Sequence, residues 1–209
     1  MPDLHHLLLF IAAGWLLNLT PGPDVLYIVT NALRSGARAG VVAGLGITTG
    51  CFVHVFAAAV GVGALLATSA TAFTVLKWIG AAYLLVLAWG AFRAPVDAAV
   101  APGAAPEADG WRMVRRGLAM NLTNPKVVIF FLAFLPQFAD PARGPVAPQL
   151  LMLGAIFILS TLLVFGAIAV GSGLFGALLQ RSARARRTLN WLAGTVFVGL
   201  AARLATAQR

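Results

Sequence analysis

Six apolar stretches, each near the length that crosses a bilayer, decide what this chain can fold into. They run roughly over Leu4–Leu33, Gly40–Leu66, Phe73–Phe92, Gly117–Phe138, Pro148–Leu179 and Leu189–Leu204. A spanning helix needs about 20 such residues. Lipid offers a backbone N–H or C=O no partner, so each stretch must close its hydrogen bonds internally, as a helix does. Only 10% of the 209 residues are charged, against about a quarter in soluble domains, and no room remains for a second, globular unit. The expectation is an all-α integral membrane protein with six transmembrane helices in a single domain. The sixth stretch is the shortest, and Arg203 near its end must snorkel to the interface.

Two of these stretches say the same thing. Asn18-Leu19-Thr20-Pro21-Gly22-Pro23-Asp24 lies in the first and Asn121-Leu122-Thr123-Asn124-Pro125-Lys126 in the fourth. In each, a proline that breaks the helical ladder stands beside a charged residue at membrane depth. Leu76-Lys77-Trp78-Ile79 and Leu189-Asn190-Trp191-Leu192 form a second echo, opening stretches three and six. The chain therefore divides into repeat one, about 1–93, a solvated Ala/Pro-rich cytoplasmic linker, about 94–114, and repeat two, about 115–209. Three spans per half make the halves face opposite ways, a 3+3 inverted repeat with helices one and four broken by proline. Interrupted helices at matching places in two halves point to a midplane transport site.

The charges set orientation. Arg34, Arg38, Arg93, Arg112, Arg115, Arg116, Arg181, Arg184, Arg186 and Arg187 fall in the connectors between stretches one and two, three and four, and five and six. The other side holds Lys77, Arg143, Arg203 and Arg209. Basic connectors stay cytoplasmic, which predicts both termini outside. The formal charge of +9 is thus a topology signal. It shows no basic face interleaved with aromatics, so nucleic acid is not an expected partner. The start of the chain lacks the basic region of a secretory signal, so the first stretch is expected to be a retained span. Trp15, Trp78, Trp89, Trp111 and Trp191 fall mostly near span ends, where aromatic belts form.

Substrate-binding candidates are Asn18, Thr20, Pro21, Gly22, Pro23, Asp24, Asn121, Thr123, Asn124, Pro125 and Lys126. Intramembrane ionisable groups are costly and mark function by default. Asp24 can exchange a proton as the protein alternates, pair with a substrate ammonium, or simply cap the half-helix that begins beside it. Lys126 lies about 15 Å in from Arg116 at 1.5 Å per residue, near the middle of a roughly 30 Å core. There it can hold a substrate carboxylate, neutralise Asp24, or strain towards the cytoplasmic interface. The amide and hydroxyl residues can serve a ligand or a neighbouring helix. His54 shares an i, i+4 stripe with Gly46 and Gly50, which turns it to the close-packed interior. It is either a second proton-coupling group beside Asp24 or a hydrogen-bonded interior histidine. The spacing Gly36, Gly40, Gly44, then Gly46, Gly50 suits close helix contact.

Enzyme readings find no support. Gly171-Ser172-Gly173 lacks the surroundings of a nucleophile turn, no carboxylate pair or phosphate loop occurs, and no metal-ligand set is present. Cys51 is a lone cysteine and reads as packing. No cofactor is expected, and the sequence leaves homo-oligomerisation open. The residues read as a small membrane transporter; a non-transporting membrane scaffold is the alternative, and a metal ion or another small solute stays open as its cargo.

With these motifs in hand, the chain resembles the LysE/RhtB family of bacterial amino-acid exporters nearly end to end. The resemblance is carried by Pro21-Gly22-Pro23-Asp24, by Gly44-Leu45-Gly46-Ile47-Thr48-Thr49-Gly50 through His54, and by Leu76-Lys77-Trp78-Ile79-Gly80-Ala81-Ala82-Tyr83-Leu84. It continues in Asn124-Pro125-Lys126 with Phe130-Phe131 and Leu135-Pro136-Gln137-Phe138. It is closer to the RhtB branch, linked to neutral amino acids such as homoserine, threonine or leucine, than to the basic-amino-acid branch. The resemblance implies export across the bacterial inner membrane by proton antiport. Its functional elements fall on Pro21, Gly22, Pro23, Asp24, Asn124, Pro125 and Lys126.

Overall fold

The computed structural model describes residues 4–20, 22–62, 70–94, 109–172 and 182–206, and the regular structure among them is helical throughout. α1 (Leu4–Leu19) is followed by α2 (Pro23–Ser35). α3 (Ala37–Ala57) runs into a π-helical turn, Ala58–Val62, and α4 spans Ala70–Arg93. α5 (Gly110–Leu122) leads to α6 (Pro125–Ile129), which continues through a π turn, Phe130–Phe134, and a 3-10 turn, Leu135–Phe138. After a short 3-10 turn come α7 (Val146–Val170) and α8 (Ala183–Thr206). Ala37–Gly61, Val146–Val170 and Arg187–Thr206 are long and apolar enough to cross a membrane. Gly110–Leu122 with Pro125–Phe138 qualifies as a bent pair, its axes meeting at 57°.

The helix ends have local causes. Pro23 and Pro125 each occupy the start of a helix, where a missing N–H removes no intrahelical bond and the fixed φ already suits the helix. Gly36 alone separates α2 from α3, and its φ of 86° with ψ of 166° is a conformation that side chains disfavour. α5 begins at Gly110, within the stretch expected to be linker, because the Asp109 carboxylate accepts the Trp111 N–H at 2.9 Å and caps it. Most of that linker, and the tail of the fifth stretch, lie outside the described residues.

α3 is the hub, packed along α5, α7 and α2, while α4 pairs with α8. A Cβ on Gly46 would stand 2.5 Å from the Val114 carbonyl oxygen, and one on Gly117 2.9 Å from that of Ala43. The two backbones touch, which is what small residues at i, i+4 permit in a membrane. The apolar interior falls into two clusters. One gathers Phe10, Phe130, Phe131, Phe134, Phe138 and Phe157, and the other gathers Val25, Ile28, Ile47, Met113 and Phe165. Phe52, Phe56, Leu159, Leu163 and Val170 lie exposed on α3 and α7, an apolar surface that a bilayer would cover. α2 and α5 separate a polar from an apolar face, whereas α1, α3 and α7 are apolar all round.

Candidate functional site

A proline at position i leaves the carbonyl at i−4 without its helical partner, because proline has no N–H. Two such carbonyls are met by side chains from far away in the chain. The carbonyl four residues before Pro21 belongs to Leu17, and the Lys126 ammonium donates to it at 3.0 Å. Pro21 itself lies outside the described residues, but its lack of an N–H is a matter of chemistry alone. The carbonyl four residues before Pro125 belongs to Asn121. The His54 ring brings Nε2 within 3.3 Å of it, and the Asn124 N–H donates to it at 3.1 Å. His54 also stacks on Phe131 with centroids 5.6 Å apart.

The breaks face one another. Asn124 Nδ2 donates to Asp24 Oδ2 at 3.1 Å, while Asn124 Oδ1 accepts the Lys126 backbone N–H at 3.1 Å. One amide thus caps α6 and grips the acid at the start of α2. Asp24 and Lys126 hold equivalent places, each directly after the proline that opens its helix. A carboxylate at a helix N-terminus is favoured by the dipole and an ammonium is not. Lys126 accordingly reaches away from its own helix to the C-terminal end of α1, where a cation is favoured. Asp24 is 4% exposed, and its Oδ1 has no hydrogen-bond partner among the described residues.

Between the breaks lies a cavity of about 10 Å³, lined by Leu17, Asn18, Asp24, Asn121 and Lys126 together with residues of α3, α6 and α7. That volume holds about one water molecule, so the cavity as it stands is too small for an amino acid. Each asparagine that precedes a break reaches a long helix far away in the sequence. Asn18 Nδ2 donates to Thr161 Oγ1 on α7 at 2.9 Å, and Asn121 Oδ1 lies 4.0 Å from the Cys51 thiol on α3.

Of the sequence candidates, the structure gathers Asn18, Asp24, Asn121, Asn124 and Lys126. Gly22 joins them by absence: a Cβ there would lie 3.6 Å from the Lys126 ammonium. Thr20 and Thr123 bond the Leu16 and Ala119 carbonyls of their own helices, as threonine commonly does one turn back. Thr123, Pro23 and Pro125 are exposed. His54 is buried beside the second break and is not among the cavity-lining residues. Sequence reasoning missed Thr161, and it took Cys51 for packing alone although Cys51 lines the cavity. A signal existed for Thr161: Ser160-Thr161 interrupts a helix that otherwise carries a polar side chain only at Gln149, near its start.

The LysE type translocator family matches residues 15–208. A Vibrio cholerae protein described as an uncharacterized membrane protein is 35% identical over 99% of both chains. The homoserine/homoserine lactone efflux protein of Salmonella typhimurium is 32% identical over 95% of both. A leucine efflux protein of an Enterobacter species is 29% identical over 94% of this chain and 93% of its own. No solved structure matches the chain.

Proposed function

Because the chain belongs to the LysE type translocator family, we propose that it exports small neutral amino acids from the cytoplasm in exchange for protons, at one site where its two helix breaks meet. Members of the family are transporters and not enzymes, and efflux proteins for amino acids stand among the relatives. The observation that carries the site is the hydrogen bond from Asn124 to Asp24. It joins residues 100 positions apart and ties the one break to the other.

In this reading Asp24 receives the substrate ammonium, while Lys126 and the first-turn amides of α2, which have no partner within the helix, receive the carboxylate, since a helix N-terminus favours an anion. Asp24 is the one carboxylate among the described lining residues, so a second, side-chain cation would have no counter-charge. The remaining lining is largely apolar: Leu17, Val127, Phe157 and Phe165. Both features favour a neutral side chain. Protonation of Asp24 from outside then competes with the ammonium, releases the substrate and couples export to proton entry. His54 serves the second break by holding the Asn121 carbonyl.

The architecture we propose around this site is the inverted repeat of six spans with both termini periplasmic. The pairing of α3 with α7 and of α4 with α8 supports it, because those are equivalent elements of the two halves. Exposed Arg34, Arg38, Arg112, Arg115 and Arg116 sit at the end where α2, α3 and α5 come together, which supports placing that end in the cytoplasm.

The test is efflux from an export-deficient bacterial host fed a panel of dipeptides, with external amino acids measured by mass spectrometry. Wild type, Asp24→Asn and empty vector are compared at matched membrane expression. Faster appearance of one or a few neutral amino acids with wild type alone is the expected result. Equal efflux by Asp24→Asn would remove Asp24 from the mechanism, and no response across the panel would overturn the substrate class.

A further inference from the structure

Building on that reading of the site, we propose that the Leu17 carbonyl and Asp24 form the substrate's ammonium subsite, and that the Lys126 ammonium occupies it as a built-in surrogate whenever substrate is absent. The Leu17 carbonyl is the acceptor that Pro21 deprives of a backbone donor, and it lies in the last turn of α1, where the helix end favours a cation. Its observed partner is a primary ammonium, 3.0 Å away. The second acceptor is in place: Asp24 is 4% exposed, lines the same cavity, and finds no partner for Oδ1 among the described residues. Thr161 and Asn18, on the same wall, are already spent on each other at 2.9 Å.

The cavity of about 10 Å³ has no room for two ammonium groups. Substrate and Lys126 must therefore exchange. An arriving amino acid places its ammonium on the Leu17 carbonyl and Asp24, and the displaced Lys126 meets the carboxylate carried on the same α-carbon. When the substrate leaves, Lys126 returns, so Asp24 never faces an emptied site without a cation nearby. The ligand class that follows is a primary ammonium with an adjacent anion. A compound with an acylated amine cannot displace the lysine.

Removing the surrogate should expose the subsite. In detergent-purified protein, methylammonium is the probe for the ammonium subsite and a neutral amino acid the probe for the whole site, each read as a concentration-dependent rise in unfolding temperature. Wild type is expected to respond to the amino acid and barely to methylammonium, because a tethered competitor acts at an effective concentration in the millimolar range or above. Lys126→Met, with Lys126→Gln as the second variant should the first not fold, is expected to bind methylammonium at least about tenfold more tightly than wild type. Pro21→Ala combined with either substitution supplies the backbone N–H that proline lacks and is expected to abolish that gain. Unchanged methylammonium affinity in the lysine variants, with amino-acid binding by wild type intact, overturns the surrogate alone. Absence of amino-acid binding by wild type overturns the exporter reading instead.

Discussion

Asn124 does two jobs with one amide, and they can be separated. Its Oδ1 accepts the Lys126 N–H and caps α6, and its Nδ2 holds Asp24 at 3.1 Å. Loss of an N-cap costs about 1 kcal/mol. A hydrogen bond to an ionised group contributes about 1.5–3 kcal/mol in soluble proteins, but side-chain bonds between membrane helices average about 0.6 and reach about 1.7. The lipid figure governs here, and a carboxyl acceptor belongs towards its upper end, so the bond to Asp24 is worth about 1–1.5 kcal/mol. Asn124→Ala should therefore cost about 2–2.5 kcal/mol. Asn124→Ser keeps a capping oxygen but is too short to reach across to Asp24, and should cost only the bond, about 1–1.5 kcal/mol. Unfolding of the purified protein in mixed micelles measures both, and efflux at matched expression reads function. Both variants should export more slowly than wild type, since both leave Asp24 unanchored. Serine at wild-type stability with wild-type efflux would refute the bond between the breaks. Equal losses in Ala and Ser would refute the cap.

Gly50→Ala should sharply lower the yield of monodisperse protein, because its Cβ would run into the Asn121 side chain, whereas Gly90→Ala, with nothing within 4 Å, should leave yield and Tm unchanged. Thr161→Val removes the acceptor of the Asn18 amide at 2.9 Å. It should cost about 0.6–1.7 kcal/mol and raise the apparent KM of efflux, while Thr161→Ser restores both. His54→Gln keeps a donor for the Asn121 carbonyl and should retain both efflux and its dependence on external pH, whereas His54→Leu should lose efflux. If His54→Gln exports but no longer responds to pH, the imidazole is the proton carrier and the positioning role is wrong.

What could be read in advance follows from what lipid forbids. A bilayer leaves no unpaired backbone, so the apolar stretches pointed to helices, and prolines beside Asp24 and Lys126 pointed to places that protein must cover. The glycines at 46 and 50 could be read as close contact because no other residue lets backbones approach so nearly. Which side chain answers which carbonyl could not be read. That Lys126 reaches Leu17, and that Asn18 finds Thr161, depends on how α1 and α7 cross the break, and nothing local in the sequence encodes that crossing. α5 starts ahead of the fourth apolar stretch, and its first turns carry Arg112, Arg115 and Arg116, which read as linker by hydropathy. The capping carboxylate of Asp109 is a weaker signal than the charges that follow it. Thr20 and Thr123 looked like ligands by position, yet a helical threonine can satisfy itself one turn back, and both do.

The claim that the two breaks form one transport site is tested most directly by exchange in proteoliposomes. Purified protein is reconstituted with unlabelled homoserine or leucine inside, and entry of the labelled amino acid is followed for wild type, Asp24→Asn and Lys126→Gln, each shown to be folded. Exchange by wild type above empty vesicles, lost in both variants although their substitutions lie on different halves, is the predicted result. Exchange that survives either substitution at the wild-type rate would contradict a shared site.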